Sequence, residues 1–207
     1  MCFSATASFV AGAALTATGV VTISKTTKRR ELPFTSVPLF FGIQQILDGI
    51  VWVSASGALQ TSAAYGYAFF AYVFWPMFIP FAILRLEPSA DRKQVMRYLL
   101  GLGILVGLYG FALLVSGPLA ARAINHCIRY DPFIAYWAPM YLPYVVATCG
   151  SCFASSYRAI NLFGLVTFVS IAVAGWFYLE TFSSVWCFFA AVLSVLVYAR
   201  VHKRTPR

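Results

Sequence analysis

Long uncharged apolar stretches recur along this chain, and they limit the fold before any motif is read. Several windows exceed the roughly 19–20 residues that let an α-helix cross a bilayer. In hydrocarbon the backbone must satisfy its own hydrogen bonds, which for runs of this length favours helices. Of the 207 residues, 61% are hydrophobic and only 10% are charged, against about 25% charged in a soluble domain. The expected fold is an all-α polytopic integral membrane protein, with membrane lipid as its first partner.

The apolar runs predict seven spans, near residues 7–24, 33–56, 64–86, 96–117, 133–155, 159–179 and 181–201. Short connections join them, so residues 1–207 are expected to form a single seven-helix transmembrane domain. The N-terminal run Met1-Cys2-Phe3-Ser4-Ala5-Thr6-Ala7 has no basic n-region, so the first span is expected to be retained rather than cleaved as a signal peptide.

Net charge is +9, which in a soluble protein would suggest nucleic acid. Here the basic residues fall between apolar runs, where they set topology instead. Lys25, Lys28, Arg29 and Arg30 follow the first span, Arg85, Arg92, Lys93 and Arg97 flank the third connection, and Arg158 marks the fifth. The second connection is uncharged, the sixth carries only Glu180, and the fourth is mixed, with Arg122, Arg129 and Asp131. Basic loops stay in the cytoplasm, so seven spans place the N-terminus outside and the C-terminus in the cytoplasm. No nucleic-acid partner is expected.

Asp48 is the one acid inside the uncharged apolar run 32–58. A carboxyl at membrane depth costs a few kcal/mol on insertion scales (~2.5–3.5) and marks a functional site by default. Gln44 lies one turn before it on the same helix face, with Gln45 adjacent and Trp52 one turn beyond. The alternative role for Asp48 and Gln44 is an interhelical hydrogen bond.

Other chemistry is thin. Cys149-Gly150-Ser151-Cys152 spells CxxC but lacks the βαβ context of a redox motif, so both thiols are expected to be reduced, buried packing residues. Histidines are limited to His126 and His202, which excludes a three-histidine zinc site, and no metal is expected. No cofactor can be named. Gly103-Ile104-Leu105-Val106-Gly107 is a small-xxx-small pattern that favours close helix packing. Phe74-Trp75-Pro76-Met77-Phe78-Ile79-Pro80-Phe81 matches Trp137-Ala138-Pro139-Met140-Tyr141-Leu142-Pro143-Tyr144, which suggests a repeat with equivalent proline kinks. Trp52, Trp75, Trp137, Trp176 and Trp186, with Tyr65, Tyr67, Tyr136 and Tyr178, are expected mainly in an interfacial belt.

The opening Met1-Cys2-Phe3-Ser4-Ala5-Thr6-Ala7-Ser8-Phe9, the run Pro38-Leu39-Phe40-Phe41-Gly42-Ile43-Gln44-Gln45 and the run Ser183-Ser184-Val185-Trp186-Cys187-Phe188-Phe189 resemble an uncharacterised bacterial family of small multi-helix membrane proteins. The resemblance covers most of the chain and brings no activity with it. It implies a bacterial cytoplasmic-membrane location and draws attention to Cys2, Gln44, Gln45, Trp186 and Cys187. The seven-helix layout also resembles sugar-exporting facilitators, as architecture only.

The leading expectation is a transporter or channel for a small solute or ion, with a substrate-binding site around Asp48, Gln44, Gln45, Trp52, Glu180, Trp186, Cys187 and Cys2 in the outer half of the bundle. An intramembrane enzyme on a lipid-like substrate, using Asp48 with Glu180 or the thiols Cys2 and Cys187, is the alternative. A sensor or assembly factor without turnover is a third. Oligomeric state is not legible.

Overall fold

A computed structural model describes residues 4–54, 56–124, 127–131 and 138–177. Helix α1, Ala5–Ser24, starts where Ser4 caps it by accepting from the Ala7 N–H at 3.2 Å, which satisfies one of the free amides of the first turn. A four-residue turn α2, Leu32–Thr35, leads into α3, Val37–Val53. Both begin with proline in the first turn, where the missing N–H costs nothing. Gly57, at φ +100°, starts the next helix in a conformation that side chains disfavour.

The third span is not one regular helix. It runs as α4, Ala58–Ala68, a π-helical segment Phe69–Phe74, and α5, Trp75–Leu86. The amide of Trp75 bonds back five residues to the Phe70 carbonyl. Pro76 follows immediately and removes the donor for the Tyr72 carbonyl, and Pro80 does the same for that of Pro76. A π-turn is one of the ways a helix absorbs such a break. Helix α6, Ala90–Ser116, packs across it. A Cβ on Gly103 would lie 1.9 Å from the Pro76 oxygen, and one on Gly107 would lie 2.9 Å from the Val73 oxygen. The small-xxx-small pattern thus lays bare backbone against the segment that proline deprives of donors.

Beyond α6 the chain forms an antiparallel hairpin, β1 Ala120–Ile124 with β2 Cys127–Asp131, in the register Ala121 opposite Tyr130 and Arg122 opposite Arg129. Its inward side chains, Ile128 and Tyr130, are buried. A 3₁₀ turn, Ala138–Met140, then opens α7, Tyr141–Ala154, and α8, Arg158–Phe177, follows. Helix α1 runs antiparallel to α3, with Gly12 against Ile46 and Gly19 against Leu39, and α6 runs antiparallel to α5, with Gly103 against Pro80 and Gly107 against Val73.

These elements correct the expected all-α seven-transmembrane-helix bundle. The described residues form six joined helices, of which four are long and apolar enough to cross a membrane: Ala5–Ser24, Leu32–Val53, Ala58–Leu86 and Ala90–Ser116. The helix Tyr141–Ala154 is too short for that test, and the fourth connection is a β-hairpin. The expected seventh span, 181–201, lies outside the described residues. The orientation drawn from an odd count, N-terminus outside and C-terminus cytoplasmic, falls with the count, and so does the likeness to seven-helix facilitators. What stands is a mostly helical protein whose long apolar helices support membrane association.

The proline repeat also fails. Pro76 and Pro80 follow a mid-span π-turn, whereas Pro139 lies in the 3₁₀ turn and Pro143 in the first turn of α7. There proline interrupts no helical ladder.

At the basic-loop end, one acid ties two connections together. Glu87 is 2% exposed. Its Oε2 accepts from the Ser156 N–H at 2.8 Å and the Ser155 hydroxyl at 3.5 Å, and its Oε1 accepts from the Ser156 hydroxyl and the Ser89 N–H. Burial alone would raise its pKa, but the bonds from Ser156 and Ser89 and the charge of Arg92 together hold it below the usual carboxylate value.

Two outcomes follow for stability. Gly103→Ala is expected to destabilise the folded protein by about 1–3 kcal/mol through forced separation of α5 and α6, while Gly101→Ala, which meets nothing within 4 Å, is expected to be neutral. Unfolding in mixed micelles reads both. For Glu87 the folded pKa is depressed, so its stabilising contribution is present above the unfolded carboxylate pKa and disappears as pH falls through the folded one. Wild type is therefore expected to lose stability on acidification relative to Glu87→Gln, whose melting temperature should vary less with pH.

Candidate functional site

The helical arithmetic of α3 gathers its polar residues inward. At about 100° per residue, Phe41, Gln45, Asp48 and Trp52 fall within about 60° of one another, with Gln44 just to one side. Gln44, Gln45 and Asp48 are all 0% exposed, and Trp52 at the helix end is half-buried. Gly42 and Gly49 form the flank that meets α1. A Cβ on Gly42 would collide with Thr16, one on Gly49 with Phe9, and one on Gly12 of α1 with Ile46. The two helices therefore approach closely enough for a short serine to span the gap.

That serine is Ser8. Its hydroxyl donates to Asp48 Oδ2 at 3.0 Å. The other carboxylate oxygen, Oδ1, accepts from the Tyr130 hydroxyl at 3.3 Å. Tyr130 comes from β2 and stacks on Tyr67 of α4, with ring centroids 4.8 Å apart and planes 3° from parallel. The hairpin is rooted on α4 as well. The Tyr65 hydroxyl donates to the Gly117 carbonyl and accepts from the Leu119 N–H, both at 3.1 Å. An acid buried in an apolar bundle needs such donors, and here they come from α1 and the hairpin together.

Gln44 has its own partner. Its Oε1 accepts from Trp75 Nε1 at 2.7 Å. Trp75 is the first residue after the π-turn, and its ring stacks on Phe41 at 3.9 Å. Gln45 differs: among the described residues, neither of its amide atoms has a hydrogen-bond partner.

The structure thus brings together Asp48, Gln44 and Gln45, as expected, with Trp52 on the same stripe. Cys2, Glu180, Trp186 and Cys187 lie outside the described residues, as does His126. Ser8, Tyr130 and Trp75 are additions. Trp75 and Tyr67 are core residues rather than members of an interfacial belt. Cys149 and Cys152 are buried free thiols, and Gly164 makes room for Cys152. Among the described residues, no cluster of three His, Cys, Asp or Glu side chains could hold a metal.

With this geometry in view, comparison with known proteins gives one positive result. The chain belongs to DUF6629, a family of unknown function. The match spans residues 1–207. No curated protein and no solved structure matches it.

The two donors to Asp48 have different expected weights. Tyr130→Phe and Ser8→Ala are each expected to cost ~0.6–2 kcal/mol, the range of hydrogen bonds in membrane bundles. A double-mutant cycle of each with Asp48→Asn, read by unfolding in micelles, should give a larger coupling for Ser8 than for the longer Tyr130 contact.

Proposed function

We propose that this family member binds and passes a small polar solute or ion through a site centred on Asp48. The observation that carries the reading is the convergence on one fully buried carboxylate of a helix side chain, Ser8, and a hairpin side chain, Tyr130. The carboxyl is thereby tied to a connecting segment as well as to a neighbouring helix. Tyr130 lies on a hairpin rather than on one of the long helices, so on this reading its displacement opens the route to Asp48. On this reading Gln44 holds Trp75 as a wall, Gln45 and Trp52 face the solute, and residues 1–207 act as one membrane domain, in a bacterial cytoplasmic membrane as the N-terminal motif suggested. Cys2, Glu180, Trp186 and Cys187 belong to the proposed site by sequence alone. The lipid-enzyme alternative rests on Glu180 or the thiols and has no observation of its own.

Asp48→Asn preserves shape and keeps one accepting oxygen for Ser8 or Tyr130, while its Nδ2 can only donate and the acid is gone. The purified chain in proteoliposomes is expected to lose solute or ion flux on this change while still folding, with a fall in stability no larger than that of Ser8→Ala or Tyr130→Phe. Asp48→Asn flux equal to wild type, with Asp48→Leu strongly destabilised, would make the carboxyl a structural joint and end the reading.

A further inference from the structure

Gln44 and Gln45 are neighbours on one helix and equally buried, yet only one is satisfied. Gln44 holds Trp75. Gln45 is 0% exposed with both Oε1 and Nε2 unpartnered. A primary amide closed off from water at both ends is costly, and such groups in native proteins pair with protein, water or ligand. A second unpartnered atom, Thr16 Oγ1, lies against Gly42, one turn from Gln45 on α3. By the α1–α3 pairing, Gln45 is level with Gly12, and on the α3 wheel its position falls between the glycine flank that meets α1 and Asp48.

We propose that Gln45 recognises a small uncharged molecule that presents a donor and an acceptor side by side, of the urea or primary-amide class, bound next to Asp48. The proposal rests on the reading of the Asp48 region as a solute site and narrows its ligand. The unmet needs of the amide decide the chemistry. Nε2 calls for an acceptor, which a metal ion or an ammonium group does not have. Oε1 calls for a donor, which a simple anion does not have, and an anion would also face the Asp48 carboxylate. Each Asp48 oxygen already accepts a hydroxyl. A urea or amide meets both ends of Gln45 with two parallel hydrogen bonds.

Size and route follow from packing. Thr16, Phe9 and Ile46 fill the spaces at Gly42, Gly49 and Gly12, so the α1 side is shut. The solute is therefore small and arrives from the side that Tyr130 covers.

The test uses the full chain in liposomes of neutral phospholipid, with urea and acetamide permeability followed by light scattering. Potassium and methylammonium flux is followed in parallel by dyes. Wild type is expected to pass urea and acetamide above protein-free liposomes. Gln45→Met, which conserves volume and removes the amide, should lower that rate about tenfold or more, the loss expected for a hydrogen-bonding site left without its partner. Its melting temperature should equal or exceed that of wild type, because an unpaired polar group has gone. Urea permeability unchanged in Gln45→Met overturns the proposal. A fall of several degrees in its melting temperature also overturns it, since the amide would then have structural partners. Cation flux that depends on Asp48, with no urea or acetamide flux, overturns the proposal while the Asp48 site stands. No flux of any probe through folded wild type removes both.

Discussion

A carboxylate buried in an apolar bundle must be given donors, and much of the described architecture serves that requirement. Asp48 is wholly inside, where an unpaired acid would cost several kcal/mol (~2.5 or more by insertion scales). Ser8 has a side chain of one carbon and one oxygen, so it reaches Asp48 only if α1 and α3 nearly touch. Gly12, Gly19, Gly42 and Gly49 allow that approach, and each would clash if it carried a Cβ. A second donor comes from outside the helix pair, through Tyr130, whose ring stacks on Tyr67 of α4. It comes from the hairpin, which Tyr65 and Tyr67 fix in place. One acid thereby sets a helix–helix distance and the position of a connecting segment.

The proline-broken third span is the complementary constraint. Pro76 and Pro80 strip two carbonyls of their helical donors, and the chain answers with a π-turn on one side and glycine contacts from α6 on the other. The π-turn also delivers Trp75 to the bundle interior, where Phe41 stacks on it and Gln44 accepts its N–H. At the far end, Glu87 gathers Ser89, Ser155 and Ser156, so the α5–α6 and α7–α8 connections are held by one carboxylate. Many of the described serines and threonines bond within their own helix, whereas Asp48, Gln44, Tyr65 and Glu87 join separate elements.

The burial of Asp48 among polar partners was legible because a lone acid in an apolar run is costly without them. The CxxC was legible as packing because its helical context lacks redox chemistry, and the thiols are indeed free and buried. Span existence followed from length, but span number did not. Residues 120–131 contain enough Ala and Ile to pass as a loop between helices, and the alternation Ile128-Arg129-Tyr130 is too short to separate from chance. The two proline motifs share a spelling, yet a proline at a helix start and one after a mid-span turn have different consequences. Trp75 was misplaced for a similar reason. Tryptophan suits both a membrane interface and a core that offers its N–H an acceptor, and only tertiary structure places it against Gln44.

The Asp48 contacts also rank the elements by how easily they move. Drawing α1 away would break the shorter bond from Ser8 and uncover a glycine seam that runs from Gly12 to Gly19. Moving the hairpin breaks a 3.3 Å bond and a tyrosine stack and uncovers Ile128 and Tyr130, while the root at Tyr65 holds the strand beginning near Leu119. Dispersion and close packing grow with the number of touching atoms, so the helix seam resists far more than the hairpin does. On the proposed reading, an opening toward Asp48 and Gln45 begins with Tyr130, and the helices that carry the carboxylate and the amide stay where they are.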